Sequence, residues 1–425
     1  MKITVPTTDL KVGMYVCELD RPWRETPFLF QGIEIQNEDD IRLLQQYCRE
    51  VVILQGEKVE SPGANVLRDW KKPSPAVNRR NADLLVEQEL LKLNNHPDAR
   101  SRYQDRTTLE EEIQLVHRTF LEAKTITDKV LTDARLGGSI DGEPIKQVVS
   151  ELAESVLRNP DALSCYTLMK DKDSYAASHA LNSAIFALIF ARQLGVERQE
   201  VELLGMAGLL HDIGMVKVPD EIYAKPDKLT PIELSIVRRH VTWGADMLER
   251  KSDMPPMVVE AARDHHERYN GKGYQLGCAG EDISHAGRII GIVDFYDAVT
   301  SDRVYQAAIS SYSALRMMYA GRGTLFDPLL MERFIQCLGI YPVGSVVELN
   351  TGEVGVVVAL NREIRLRPHV VLVRRPDKTL YPTPAVVNLM ARHTAAGAPC
   401  EIERVLDPVS ADVNPIQYLP ISAVG

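Results

Sequence analysis

Apolar residues recur along this chain with three different rhythms, and each marks a stretch with its own architecture. Near the amino terminus the signals are short. Gly13 to Leu19 and Phe28 to Ile35 carry β-forming residues, Glu38 to Tyr47 has amphipathic helical spacing, and Val51 to Leu54 is a short apolar strand. Together they predict a small α/β domain over residues 1–58. Ser61-Pro62-Gly63 and Pro73-Ser74-Pro75 mark a linker over 59–106, with a polar helix near Ala82 to Leu93. A second rhythm starts at Thr107 or Thr108. Leu109, Ile113, Val116, Phe120, Ala123, Thr127, Val130 and Ala134 alternate spacings of four and three, which predicts a long connecting helix over 107–142. Such a stripe suits a dimer seam or packing on the helix's own domain, the latter being the commoner use of a short heptad run.

Over 143–340 nearly every segment has helical periodicity, and Thr230-Pro231-Ile232-Glu233 joins a capping box to a proline at the first helical position. After Tyr341 the rhythm changes to short β-rich runs, Ser345 to Leu349 and Gly355 to Leu360, with turns at Thr351-Gly352 and Arg375-Pro376-Asp377. The expected fold is mainly α: a central helical bundle, a small N-terminal α/β domain, and a C-terminal β-rich appendage over 341–425.

Composition narrows the function. The 425 residues are 45% hydrophobic and 25% charged, which excludes global disorder. A net charge of −10 argues against a protein that coats nucleic acid, but leaves room for a small phosphorylated ligand in a local positive pocket. No basic run suits a nucleic acid polymer, and no basic amphipathic helix suits a membrane. Met1 to Lys11 lacks the apolar core of a signal peptide. The richest apolar run, Ala180 to Ala191, is interrupted by Asn182 and Ser183, so it reads as a buried helix. Cys17, Cys48, Cys165, Cys278, Cys337 and Cys400 lie far apart, as expected of free thiols in the cytoplasm.

The candidate chemistry is concentrated. Five of the ten histidines (His179, His211, His240, His265 and His266) fall between positions 179 and 266, where even scatter would place about two. His179 and Asp294 sit inside long apolar helical runs. His211-Asp212 ends the helix Val201 to Leu210, with Gly214 as its stop, and His240 follows Ile236 and Val237 on an apolar helix face. Taken singly, His240 reads as a satisfied core residue and Asp294 as a buried hydrogen-bonded carboxylate. Together they have a joint explanation. An unpaired buried carboxylate is costly, and a bound metal favours neutral imidazole and ionised carboxylate in one place. Adjacent His-Asp and His-His pairs suit two ions, and this donor set fits iron, manganese, nickel or zinc better than calcium.

Four stretches, in order between about Asp161 and Pro328, carry a family resemblance: HDIGMVKVPDEIYAKPDKLT, HHERYNGKGY, RIIGIVDFYDAVTSDRVY and GTLFDP. They resemble the HD-GYP branch of the HD phosphohydrolase superfamily. GMYV and LDRPWRETPFLFQG resemble the uncharacterised domain that often precedes HD-GYP modules in bacteria. The resemblance implies a phosphodiesterase that hydrolyses the second messenger cyclic di-GMP to linear pGpG, or on to GMP. It implies His179, His211, Asp212, His240, His265, His266 and Asp294 as metal ligands, with Asp212 and a hydroxide bridging the ions. Members with three metals carry a glutamate four residues before the first histidine. Tyr175 stands there, so two divalent transition-metal ions are expected.

The same resemblance gives catalytic roles to Asp212, Lys217 and Arg303. Arg303 falls where the family places a phosphate-contacting arginine, and its fork suits two oxygens; its plain reading is an exposed helix-end arginine. Lys217 lies two residues beyond Met215, which replaces the usual lysine, and Lys217 or Arg268 is a candidate to compensate. Gly271, Gly273 and Tyr274 lie in the signature loop, where Tyr274 would stack on or hydrogen-bond to guanine; as isolated letters, the glycines mean a turn. Asp297 either orients a metal ligand or serves as a plain cap or salt-bridge residue. Met215, Asn270, Gln275, Gln306 and Ala180 depart from the family pattern on the substrate side and leave the seven ligands in place. Losing the lysine at position 215 would cost about 1–3 kcal/mol of charge-assisted bonding, about ten- to a hundredfold in rate.

The expected partner is therefore cyclic di-GMP. Two alternatives stay open: a weakly active or inactive sensor that binds the nucleotide, and a hydrolase of another nucleotide such as a mixed cyclic dinucleotide. The outer domains are open to signalling proteins or to a second copy of the chain, as in a homodimer.

Overall fold

The computed structural model describes residues 2–12, 14–21, 33–35, 38–54, 103–138, 140–169, 175–225, 227–251, 253–302 and 308–423. The expected helix near Ala82, most of the linker, the start of the Phe28 strand, Arg303 and Gln306 lie outside them.

Two compact units emerge, the first joining the amino-terminal sheet with Pro219–Ile236. In that sheet β1 (Lys2–Pro6), β2 (Tyr15–Leu19), β3 (Ile33–Glu34) and β4 (Glu50–Leu54) are antiparallel in the order β1-β4-β2-β3, with α1 (Glu38–Tyr47) preceding β4. Leu10, Val16, Ile35, Leu44, Val51 and Ile53 form its core. The β1 strand was not legible in the sequence. Five residues are too few for a periodicity, and it is the pairing with β4, Ile3 opposite Ile53 and Val5 opposite Val51, that holds them extended.

The second unit opens with α2 (Leu109–Arg135), started by a capping box. Thr108 Oγ1 accepts from the Glu111 amide at 3.2 Å, and Glu111 Oε2 accepts from the Thr108 amide at 2.9 Å. Leu109, Ile113, Val116, Phe120, Ala123 and Ala134 are buried against α3 (Gly142–Arg158), α4 (Pro160–Tyr166) and α5 (Tyr175–Leu194). The apolar stripe is therefore buried within its own unit, the commoner of its two readings.

The helices that follow are α6 (Arg198–Leu210), a 3-10 turn (Ile213–Lys217), α7 (Asp220–Tyr223), α8 (Pro231–Arg238), α9 (His240–Glu249), α10 (Pro256–Asp264), α11 (His285–Thr300), α12 (Ser311–Ala320) and α13 (Pro328–Leu338). The capping box before α8 forms as expected, Thr230 N donating to Glu233 Oε2 at 2.6 Å and Glu233 N to Thr230 Oγ1 at 3.3 Å. In α5 every residue from His179 to Arg192 is buried, as befits a helix apolar on all sides. Phe186 and Tyr296, Phe190 and Phe334, and Tyr296 and Phe334 meet edge to face at 5.1, 5.2 and 5.4 Å, locking α5, α11 and α13 together. One element differs from expectation. The helix carrying Ile236 and Val237 stops at Arg238 and His240 opens the next, because the His240 ring, at 2.7 Å, hydrogen-bonds the Val237 carbonyl that would otherwise serve the helix.

The carboxy-terminal appendage is a five-stranded antiparallel sheet ordered β8-β7-β6-β5-β9, built from β5 (Val346–Leu349), β6 (Val354–Ala359), β7 (His369–Arg374), β8 (Leu380–Asn388) and β9 (Ile402–Leu406). Its core is Val347, Leu349, Val357, Val370, Leu372, Leu389 and Cys400. A polar seam around the buried Asp161 ties it to the bundle. Asp161 accepts from the Leu360 amide at 3.0 Å and pairs with Arg362 at 2.9 Å, while Arg362 also meets Asp105 at 3.0 Å. The architecture is the expected one: a helical bundle, a small α/β domain and a β-rich appendage. Among the described residues no helix is long and apolar enough to cross a membrane. Cys48, Cys165, Cys278, Cys337 and Cys400 are free thiols.

Candidate metal centre

Six elements converge on one point of the bundle. His179 comes from α5, His211 caps the end of α6, and Asp212 leads into the 3-10 turn. His240 opens α9, His265 and His266 follow α10, and Asp294 lies within α11. The approach is close. A Cβ on Gly214 would lie 2.0 Å from the His240 carbonyl oxygen, so only glycine lets α9 come this near the turn that bears Asp212.

The donor atoms fall into two groups, Asp212 with His240, His265 and His266, and His179 with His211 and Asp294; within each they lie within 4.8 Å of one another. Each carboxylate faces both ways. Asp212 Oδ1 is 3.1 Å from His240 Nε2 and 3.4 Å from His265 Nε2, while its Oδ2 is 3.8 Å from His179 Nε2 and 3.7 Å from His211 Nε2. Asp294 Oδ1 is 3.2 Å from His179 Nε2 and 3.8 Å from His211 Nε2, and its Oδ2 is 3.9 Å from His266 Nδ1.

The ring orientations share one logic. Nδ1 of His179 donates to Asp297 Oδ2 at 2.7 Å, that of His211 to the Gly208 carbonyl at 2.8 Å, that of His240 to the Val237 carbonyl at 2.7 Å, and that of His265 to the Ala262 carbonyl at 3.0 Å. With Nδ1 committed as a donor, each Nε2 is left to present a lone pair inward. Asp297 is fully buried and also accepts from Asn182 Nδ2 at 3.0 Å, and that amide reaches the Thr167 carbonyl at 3.4 Å.

Burial opposes charge throughout. It pulls His179 toward neutrality, yet the bonds to Asp294 and Asp297 outweigh it and raise the imidazole to about 10. Burial likewise pushes Asp212 upward, but His211 and His240 hold it well below the usual carboxylate range; His179 and His211 do the same for Asp294. Burial, reinforced by neighbouring histidines, drives His265 and His266 downward. His211 Nε2 and Asp212 Oδ1 are buried without a hydrogen-bond partner. Orphaned inward atoms and a mixed imidazole–carboxylate set fit transition-metal ions.

The other candidates are placed as follows. Tyr274 is half-buried, its ring 4.8 Å from that of His266 and 4.8 Å beneath the Arg238 guanidinium. A Cβ on Gly273 would sit 2.4 Å from the Arg268 amide nitrogen, so its small size serves loop packing. Gly271 turns the same loop with φ of +74°. Arg268 donates to the carbonyls of His265 and Glu267, both at 3.3 Å. Lys217 is exposed at the end of the 3-10 turn, with no bond to the seven, and Met215 is half-buried. Sequence reasoning missed three residues: Asn182, Arg238 and Glu267, whose Oε1 accepts from the Leu276 and Gly277 amides at 2.6 and 3.1 Å. Asn182 had a signal, a polar residue one helical turn after His179 in an apolar run.

Comparison with known proteins identifies the chain's relatives. Residues 164–330 match the HD domain family, 2–145 a domain of unknown function, and 346–408 a KOW domain associated with HD domains. A cyclic di-GMP phosphodiesterase of Pseudomonas aeruginosa is 35% identical over 376 residues, covering 86% of this chain and 84% of the relative. A cyclic di-GMP phosphodiesterase response regulator of Xanthomonas campestris is 38% identical over 149 residues, 35% of this chain and 39% of that protein. A 3'3'-cGAMP-specific phosphodiesterase of Vibrio cholerae is 30% identical over 225 residues, 51% of this chain and 49% of the relative. The chain belongs to the HD-GYP phosphodiesterase branch of the HD domain family.

Proposed function

We propose that the protein hydrolyses cyclic di-GMP to linear pGpG in the cytoplasm, using two divalent transition-metal ions of the iron, manganese, nickel or zinc kind. The observation that carries this reading is the two-faced placement of Asp212 and Asp294, each with one oxygen toward either histidine group. His179, His211 and Asp294 would hold one ion, and His240, His265 and His266 the other, with Asp212 shared. Bound ions supply a water-derived nucleophile at neutral pH and offset charge on the phosphate. The chain's own part is orientation: four backbone or carboxylate acceptors fix the tautomers, and Asp297 with Asn182 steadies His179. Tyr175 stacks on the His179 ring at 5.7 Å, where a further ligand would have to enter, which supports two ions over three. In this reading Arg303 and Lys217 supply cations for the phosphates, and Arg268, Gly271, Gly273 and Tyr274 shape the nucleotide side.

A second reading, hydrolysis of a mixed cyclic dinucleotide, is favoured by the likeness to the Vibrio cholerae enzyme. The test is purified protein loaded with Mn²⁺ or Fe²⁺, checked by elemental analysis, and given cyclic di-GMP and 3'3'-cGAMP side by side. Release of pGpG is expected. Nucleotide that binds yet persists for hours would make the protein a sensor, and failure to retain any metal would remove the proposed chemistry.

A further inference from the structure

Arg238 is an unexplained cation at the rim of this centre. It ends α8, two residues before His240, and its side chain is half-buried. Its Nε is fully enclosed without a hydrogen-bond partner, and among the described residues no carboxylate forms an ion pair with it. What holds it is the Tyr274 ring, with the guanidinium 4.8 Å from the ring centroid. The Tyr274 ring packs in turn at 4.8 Å on His266, whose Nδ1 faces Asp294. A run of contacts through an aromatic ring and an imidazole thus links this guanidinium to Asp294. A half-buried guanidinium without an anion is costly, and the cost is recovered when an anion arrives. Neighbouring Arg239 differs: it is exposed and stacks on Trp243 at 4.8 Å.

We infer that Arg238 is a substrate-binding residue that takes a non-bridging oxygen of the phosphate not being cleaved. The inference rests on the cyclic dinucleotide reading above, since such a substrate carries a second phosphodiester beside the one being cleaved. Arg238 would restore a cation to a substrate side that has methionine at position 215. Its flat fork suits two phosphate oxygens, and the Tyr274 ring keeps it in place before substrate binds.

The test compares wild type with Arg238→Met, which keeps the aliphatic stem, and Arg238→Lys, which keeps the charge, all loaded with Mn²⁺. On cyclic di-GMP, R238M should raise KM about ten- to a hundredfold with little change in kcat, and R238K should recover part of the loss. On bis(p-nitrophenyl) phosphate, which has a single phosphate, R238M should lose far less than on the dinucleotide, and its metal content should match wild type. An unchanged KM for the dinucleotide overturns the inference, as does an equal loss on both substrates, which would make Arg238 a support for Tyr274 and the centre. If wild type does not cleave the dinucleotide, the hydrolase reading fails and the inference is judged by binding. Weaker dinucleotide binding by R238M then upholds it; equal binding, or none by wild type, overturns it.

Discussion

Asp297→Asn removes one charge and almost no volume, and it should disable one metal position. In the native centre the Asp297 carboxylate accepts hydrogen bonds from His179 Nδ1 at 2.7 Å and from Asn182 Nδ2 at 3.0 Å, inside a fully buried site. An amide offers one accepting oxygen and an NH2 in place of the other. If the oxygen turns to Asn182, the NH2 faces His179 and its Nδ1 must become an acceptor. The ring proton then moves to Nε2, the atom 3.2 Å from Asp294 Oδ1 that would face the ion. If the oxygen turns to His179, two NH2 groups oppose each other. Loss of such outer support weakens metal binding by about 10–100-fold, or about 1.4–2.7 kcal/mol. The assay is competitive titration of the metal-free protein with Mn²⁺ or Zn²⁺ against a chelating dye, with elemental analysis after dialysis. One weakened site beside one near-native site is expected. Native affinity at both sites in a folded D297N protein would refute the tautomer reasoning.

Three further outcomes are expected. In the metal-free protein, carboxylates raise His179 to about 10 against the burial that opposes it, so its protonated form stabilises the fold. That contribution is full below the unfolded value of about 6.5 and is lost as pH rises through 10; calorimetry of apoprotein should show stability falling across this window, and a flat profile would count against the ion pair. Gly214→Ala should destabilise by about 3 kcal/mol or more, because the new methyl carbon meets a backbone carbonyl that cannot move alone; urea unfolding at wild-type midpoint would contradict this. Arg362→Ala should cost about 3–5 kcal/mol by leaving the buried Asp161 without its cation. Hydrogen exchange should show the appendage strands loosening first, and unchanged protection there would show the seam to be dispensable.

The bundle was legible because its signals are redundant. A run such as Ala180 to Ala191 is apolar on every side and can only be interior, and the Thr230–Glu233 box fixes a helix start by local bonding alone. The candidate ligands stood out because polar residues in such runs are costly without a joint purpose. What was hidden depends on distant partners. Lys2–Pro6 is a strand only because β4 lies beside it, and the stripe of α2 names no partner until α3, α4 and α5 surround it. The pairing of Arg238 with Tyr274 spans residues far apart in the chain, and no local pattern announces it.

The fold-back of the signature loop sets where this chain can tolerate change. Glu267 grips the loop through the Leu276 and Gly277 amides, and Gly273 is pressed against the backbone of Glu267 and Arg268, directly after the paired histidines. Altering the loop's path would therefore drag the ion cage with it. Gln275 and Leu276, by contrast, turn their side chains to solvent, Leu276 being 63% exposed. A library confined to those two positions should leave metal content and fold unchanged, whereas one that displaces Gly273 should lose both at once.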